Sequence, residues 1–165
     1  MLEGLEIGYD DSSSASEAQH RGMVLALDVL AFSGNIWPDH NPELKKMIAG
    51  VFLDKVQAFA ITARRYMDIK QIHDFQVEDR RWHLPAGHEP EGHLPSYSLR
   101  KVLGKIIHAR ELKTIIFPTG EHKIYPNHGD AVITHITIQS DHGAKVRVCP
   151  FGMATAFCTE NMHNR

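Results

Sequence analysis

Between Asn41 and Met67 the apolar side chains return at intervals of three and four: Leu44, Met47, Ile48, Val51, Phe52, Val56, Phe59, Ala60, Ala63, Tyr66 and Met67. Only a long amphipathic helix puts such a set on one face, and the pattern predicts one over residues 42–68. Its start is written in Asn41-Pro42-Glu43: a capping side chain, a proline that suits the first helical position, and an acid at the positive end of the dipole. Lys45, Lys46, Lys55, Arg64 and Arg65 fall on the opposite, solvated face. A stripe this long needs a partner surface, so the rest of the chain is read for what can cover it.

Ser14 and Glu17 have capping-box spacing and predict a second helix over residues 15–32, apolar over most of its circumference and therefore buried, stopped at Ser33-Gly34-Asn35. Residues 74–95 lose periodicity, and the Pro- and Gly-rich stretch HLPAGHEPEGHLP reads as a loop. A third helix is expected to open at Ser98 and run to about Lys113, with Leu99, Val102, Leu103, Ile106 and Ile107 on its apolar stripe. After Lys113 the period becomes two. Thr114–Phe117 is β-like, and AVITHITIQ and AKVRVC on either side of SDHG read as a hairpin. Val132, Thr134, Ile136 and Ile138 would face the core, and His135, Thr137, Gln139, Lys145 and Arg147 would face solvent. The stretch from Gly152 to Phe157 is expected to close the sheet or add a helical turn. Helices followed by strands predict an α+β fold, with three main helices in a bundle-like core and a C-terminal antiparallel hairpin or small sheet. The expected organisation is one domain: an acidic, flexible segment 1–13, a helical part 15–112 and a β part 113–160.

Composition matters mainly through what it excludes. With 18 Lys+Arg against 20 Asp+Glu in 165 residues, no overall charge argues for a nucleic-acid or membrane surface. Two cysteines, Cys149 and Cys158, cannot build a disulfide framework, and one packed and one partly exposed thiol fit a reducing compartment. The first twenty residues hold five acids and no basic side chain, which suits neither a secretory signal nor a mitochondrial presequence. The longest apolar run, Met23–Phe32, is too short to span a bilayer, so a cytoplasmic, non-membrane protein is expected.

Local charge tells a different story on the third helix. Arg100, Lys101, Lys105, Arg110 and Lys113 stand against Glu111 alone, around His108. Lys101 and Lys105 precede His108 by seven and three residues, one helical face. Cations beside an imidazole keep it neutral, so it can take a proton from a ribose hydroxyl while they stabilise the developing oxyanion. Gly104 is expensive in mid-helix by about 1 kcal/mol relative to alanine, and its missing side chain would let a second helix or a phosphate backbone approach. His108 is thus the acid/base candidate with Lys101 and Arg100 as catalytic cations, and Lys105, Arg110 and Gly104 would contact substrate. The plain alternative is a solvated basic helix whose histidine is incidental.

Leu103-Gly104-Lys105-Ile106-Ile107-His108 resembles the signature of HEPN-type helical domains, an Arg followed after four to six residues by His. In this chain Leu103 stands where the family's arginine would fall, and Lys101 lies at the longest permitted spacing. The resemblance covers about residues 15–112. It implies RNA binding or a metal-independent ribonuclease of a toxin or defence system, with no cofactor, and a homodimer whose two 98–110 helices face each other.

Two further readings remain open. The chain could be a non-catalytic dimerisation or protein-interaction module with the third helix as docking surface. It could also be a histidine-rich metal-binding protein, with His83, His88 and His93 as ligands at five-residue spacing in a loop, although that spacing is not that of a helical zinc site. Arg80-Arg81-Trp82 offers cations beside a ring that could stack on a base.

Overall fold

The structure, a computed structural model, describes residues 11–78 and 91–163. Four helices and two small antiparallel sheets are found among them, a mixed α+β architecture.

The strongest sequence pattern gives the longest element, α2 (Pro42–Ile69), with Asn41 Oδ1 accepting from the backbone N–H groups of Glu43 at 2.9 Å and Leu44 at 3.3 Å. Its buried residues are Ile48, Phe52, Val56, Phe59, Ala60, Ala63, Tyr66 and Met67. α1 (Asp11–Ser33) packs along it, tied by Lys55–Asp28 at 2.9 Å and by Arg65 Nη2 donating to Ser14 Oγ at 2.9 Å. Two expectations change here. The helix is already formed at Asp11, which takes Asp11–Ser13 out of the expected flexible segment, and Ser14 sits inside it, spending its hydroxyl on Arg65 rather than on a cap. Nor is α1 buried all round: Ala18, Gly22, Ala26, Val29 and Ser33 form a narrow buried stripe, while Val24 and Leu27 are 45% and 57% exposed. Small residues let the two helices lie close; Leu25, Leu30 and Phe32 pack at the margins of the stripe, and Val24 and Leu27 are left on the outside.

The third helix departs most from expectation. α3 spans only Leu99–Ile107, with Ser98 Oγ accepting from Lys101 N at 3.1 Å, and His108 is its C-cap. The chain then enters a strand at Ala109, so Arg110 and Lys113 are not helical. We label the strands β1 (Ile36–Pro38), β2 (Gln76–Glu78), β3 (Ser96–Ser98), β4 (Ala109–Pro118), β5 (Asp130–Ser140) and β6 (Val146–Val148). Pairing with β5 overrides the helical propensity of Arg110–Lys113, and period two is already legible there: Leu112, Thr114 and Ile116 turn inward while Glu111, Lys113 and Ile115 stay exposed.

In the larger sheet β5 is central. β4 lies along one edge, and β1 and β6 share the other, pairing with opposite ends of β5. The β5–β6 hairpin matches the expected one, with Ile136 opposite Val148 and Ile138 opposite Val146. Its second face is not solvated as expected: His135 is 4% and Thr137 6% exposed. Two causes are visible. β5 carries one extra residue between Ile133 and Ile136 relative to β4, a bulge that breaks the strict alternation. Arg147 folds over Thr137, its Nε donating to Thr137 Oγ1 at 3.2 Å, and residues 92–94 run beside β6 through Arg147 N–H to Gly92 O (2.8 Å) and Leu94 N–H to Arg147 O (3.0 Å). Gly92 has φ +77°, and a Cβ there would run into the Lys145 carbonyl, so this strap needs glycine.

β2, within the stretch that reads as loop, pairs with β3 just beyond it in a two-stranded ribbon, and the residues between them that include His83, His88 and Arg80-Arg81-Trp82 lie outside the described residues. The C-terminal stretch is a full helix, α4 (Pro150–His163), packed on α1. Met153, Ala154, Phe157, Cys158 and Asn161 are buried on it, and Phe157 meets Phe59 edge-on at 5.3 Å and Tyr66 at 6.1 Å. Both cysteines are buried, correcting the expected half-exposed thiol. The expected division into a helical part to residue 112 and a β part to 160 therefore becomes an interleaved order, with α4 returning to complete the helical layer.

Candidate functional site

α2 ends without a glycine. Lys70 N–H bonds Tyr66 O at 3.0 Å and Ile72 N–H bonds Met67 O at 2.9 Å, which leaves Gln71 at φ 50°, the left-handed conformation usually given to glycine. Arg100, projecting from the first turn of α3, closes this helix end. Its Nη2 donates to Met67 O at 3.2 Å and Ile72 O at 2.8 Å, and its Nη1 pairs with Asp68. Asp68 also receives Arg64 Nε at 3.1 Å, and Arg64 Nη1 donates to Arg100 O at 3.1 Å. Asp74 caps the start of α3, accepting from Arg100 N at 3.0 Å, from Phe75 N at 3.0 Å and from the Ser98 hydroxyl. Burial pushes the Asp68 and Asp74 carboxyls up, but the donors outweigh it: Arg64 and Arg100 for Asp68, Ser98 and the backbone N–H groups for Asp74. Both sit below the usual aspartate range.

Arg100 is therefore a clamp between α2 and α3, not a cation turned toward a substrate. Gly104 faces the same arginine pair: a Cβ there would lie 3.4 Å from Arg64 Nη1, a contact that a flexible guanidinium tolerates. Among the described residues it is the Arg64 side chain, not the backbone of a second helix, that lies nearest this position.

The remaining predicted residues stand at the corner where α3 becomes β4. Lys101, His108 and Arg110 are exposed and Lys105 is half-buried. Their side chains make no hydrogen bond or ion pair among the described residues. The His108 backbone N–H bonds Gly104 O at 3.1 Å and holds the ring at the helix end. Lys113 is paired with Glu111 at 2.6 Å, and that ammonium, offset in part by desolvation, holds the Glu111 carboxyl below its usual value. The corner presents three cationic side chains and an imidazole, and among the described residues no carboxylate or second imidazole is paired to His108.

His93, from the proposed metal loop, lies in the strap beside β6, in a bridge with Arg147. Among the described residues no three His, Cys, Asp or Glu side chains are grouped to hold a metal, and no helix is long and apolar enough to cross a membrane.

Two features had no sequence signal. His40 and His128 stack with ring centroids 3.8 Å apart, brought together because β1 and β5 pair beside them. A cleft of about 450 Å³ is lined by Tyr66, Lys70, Gln71, Ile72, His73 and Glu160, at the junction of α2 and α4. It contains none of the predicted residues, and nothing in local spacing announces it, because it exists only once α4 docks. Comparison of the chain with protein-family models, with curated proteins and with solved structures finds no match.

Proposed function

We propose that this protein binds RNA through the α3–β4 corner and does not cleave it. The observation that carries the reading is the division of labour among neighbouring cations: Arg100 is spent on the end of α2, while Lys101, Lys105 and Arg110, close in sequence to the exposed His108, keep their donors for solvent or a ligand. Cations in this state are suited to phosphate contacts, which supply most of the affinity of sequence-independent binding. The resemblance of residues 103–108 to HEPN-type domains points to RNA as the polyanion, within a non-catalytic HEPN-like reading. Acid/base cleavage asks for more than a solvated imidazole: a base needs a partner that orients it or a cation beside the developing charge. Of the two cations expected to supply the latter, Arg100 is committed elsewhere, and no hydrogen bond among the described residues fixes Lys101 beside His108.

The test is a titration of a labelled single-stranded RNA followed by anisotropy at low salt, with the RNA recovered and run on a denaturing gel. Saturable binding with intact RNA is expected, weakened by Lys101→Ala and Lys105→Ala together. Absence of binding overturns the proposal. Cleavage that disappears in His108→Ala restores the ribonuclease reading.

A further inference from the structure

The two edges of the larger sheet are not alike. On the β5 side, β1 and β6 occupy the available ladder, and residues 92–94 run along the outside of β6. On the other side β4 is the edge, ten residues long, with no strand beyond it among the described residues. A free edge of that length is a row of unpaired N–H and C=O groups about 33 Å long, a template for another strand. Proteins blunt such edges with charge, and β4 carries Glu111 and Lys113. These two lie on the same face, close enough to pair along the strand. Leu112 between them turns inward onto the core.

That arrangement is selective rather than merely protective. In antiparallel self-pairing about a two-fold axis normal to the sheet, directly opposed residues share a face, so the axis passes through a residue position. An axis at Glu111 or Lys113 sets like charges opposite one another, which is unfavourable. An axis at Thr114 or Ile115 leaves Lys113 opposite Ile115 or Phe117, without an opposite charge. An axis at Leu112 sets Glu111 opposite the partner's Lys113 and Lys113 opposite the partner's Glu111.

We propose that β4 is a self-association edge: two copies of this chain pair β4 to β4 antiparallel about Leu112, continuing the sheet from one protomer to the next. The occupant is a second copy because the charge pattern is complementary to itself in this register. The inference does not depend on RNA binding, and the surface is β4, not the faces of two α3 helices.

Sedimentation velocity on the full chain tests it. A reversible dimer is expected at about 0.1 mM, a concentration at which even a weak specific pair associates. Lys113→Glu and Glu111→Lys, each making like-charge pairs twice per dimer, are expected to weaken association about tenfold. The double exchange Glu111→Lys with Lys113→Glu restores it, because each new charge again meets its opposite. Both positions are exposed, and circular dichroism verifies that the variants are folded. A protein that stays monomeric overturns the proposal. So does a dimer indifferent to the single exchanges, or one that the double exchange fails to restore.

Discussion

Replacing Arg100 by alanine separates a clamp from a catalytic cation. The change removes two hydrogen bonds to backbone carbonyls, at 3.2 Å to Met67 and 2.8 Å to Ile72, and the pairing with Asp68. Each carbonyl bond contributes roughly 0.5–1.5 kcal/mol net. The Asp68 pair is half-exposed and is worth at most about 1 kcal/mol. Met67 O keeps the Ile72 N–H at 2.9 Å, so it is not left bare, which holds the total toward the middle of the range. The expected loss is about 2 kcal/mol, or roughly 4–8 °C in Tm for a chain of this size. Arg100→Lys keeps the charge but not the fork that reaches two carbonyls and a carboxylate, and is expected to recover less than half of it. Urea unfolding followed by far-UV circular dichroism measures both. A loss below about 0.5 kcal/mol for Arg100→Ala, no more than an ordinary surface substitution, refutes the clamp.

Other consequences follow from single features. Gln71→Gly relieves a left-handed side-chain residue and is expected to stabilise by about 0.5–1 kcal/mol in the same assay. Gly92→Ala loses the positive φ and meets the Lys145 carbonyl, and is expected to destabilise by about 1–3 kcal/mol. Phe157→Ala empties the contact between α4, Phe59 and Tyr66 and is expected to cost about 3–5 kcal/mol, which a merely peripheral tail would not. Asp68, Asp74 and Asp130 all titrate below the ordinary aspartate value of 3.8. For Asp130, desolvation raises the pKa but the N–H groups of Tyr125, Ile124 and Lys123 prevail. Groups depressed in the folded state contribute stability that is fully present above their unfolded pKa and lost as pH falls through the folded one. Urea midpoints are therefore expected to hold down to about pH 5 and then decline, with a smaller decline in Asp130→Asn.

The parts of this fold that the sequence announces are those with local causes. α2 is legible because its stripe, cap and first-position proline agree, and the hairpin of β5 and β6 because both strands alternate around a polar connection. α3 is overextended by reading because Ala109–Lys113 is helix-compatible on its own, and only the partner strand β5 decides between periods. α4 is read as no more than a helical turn or a sheet-closing strand because its small residues, Ala154 and Ala156 among them, give no amphipathic contrast, although Met153, Phe157 and Asn161 already lie four apart. At the candidate site, local charge density finds the α3–β4 corner, but charge counting treats Arg100 and Lys101 as equivalent. They differ only in what the end of α2 places within reach.

On the proposed reading, the cations of the α3–β4 corner contact phosphates. The slope of log affinity against log salt for single-stranded RNA measures it most directly, since each neutralised phosphate contributes about −0.7 to that slope. The wild-type chain is expected to show a steep negative slope, and Lys101→Ala with Lys105→Ala to flatten it by about 1.4, with unfolding free energy unchanged. A double variant with the wild-type slope, or a wild-type affinity indifferent to salt, excludes phosphate contacts at this corner.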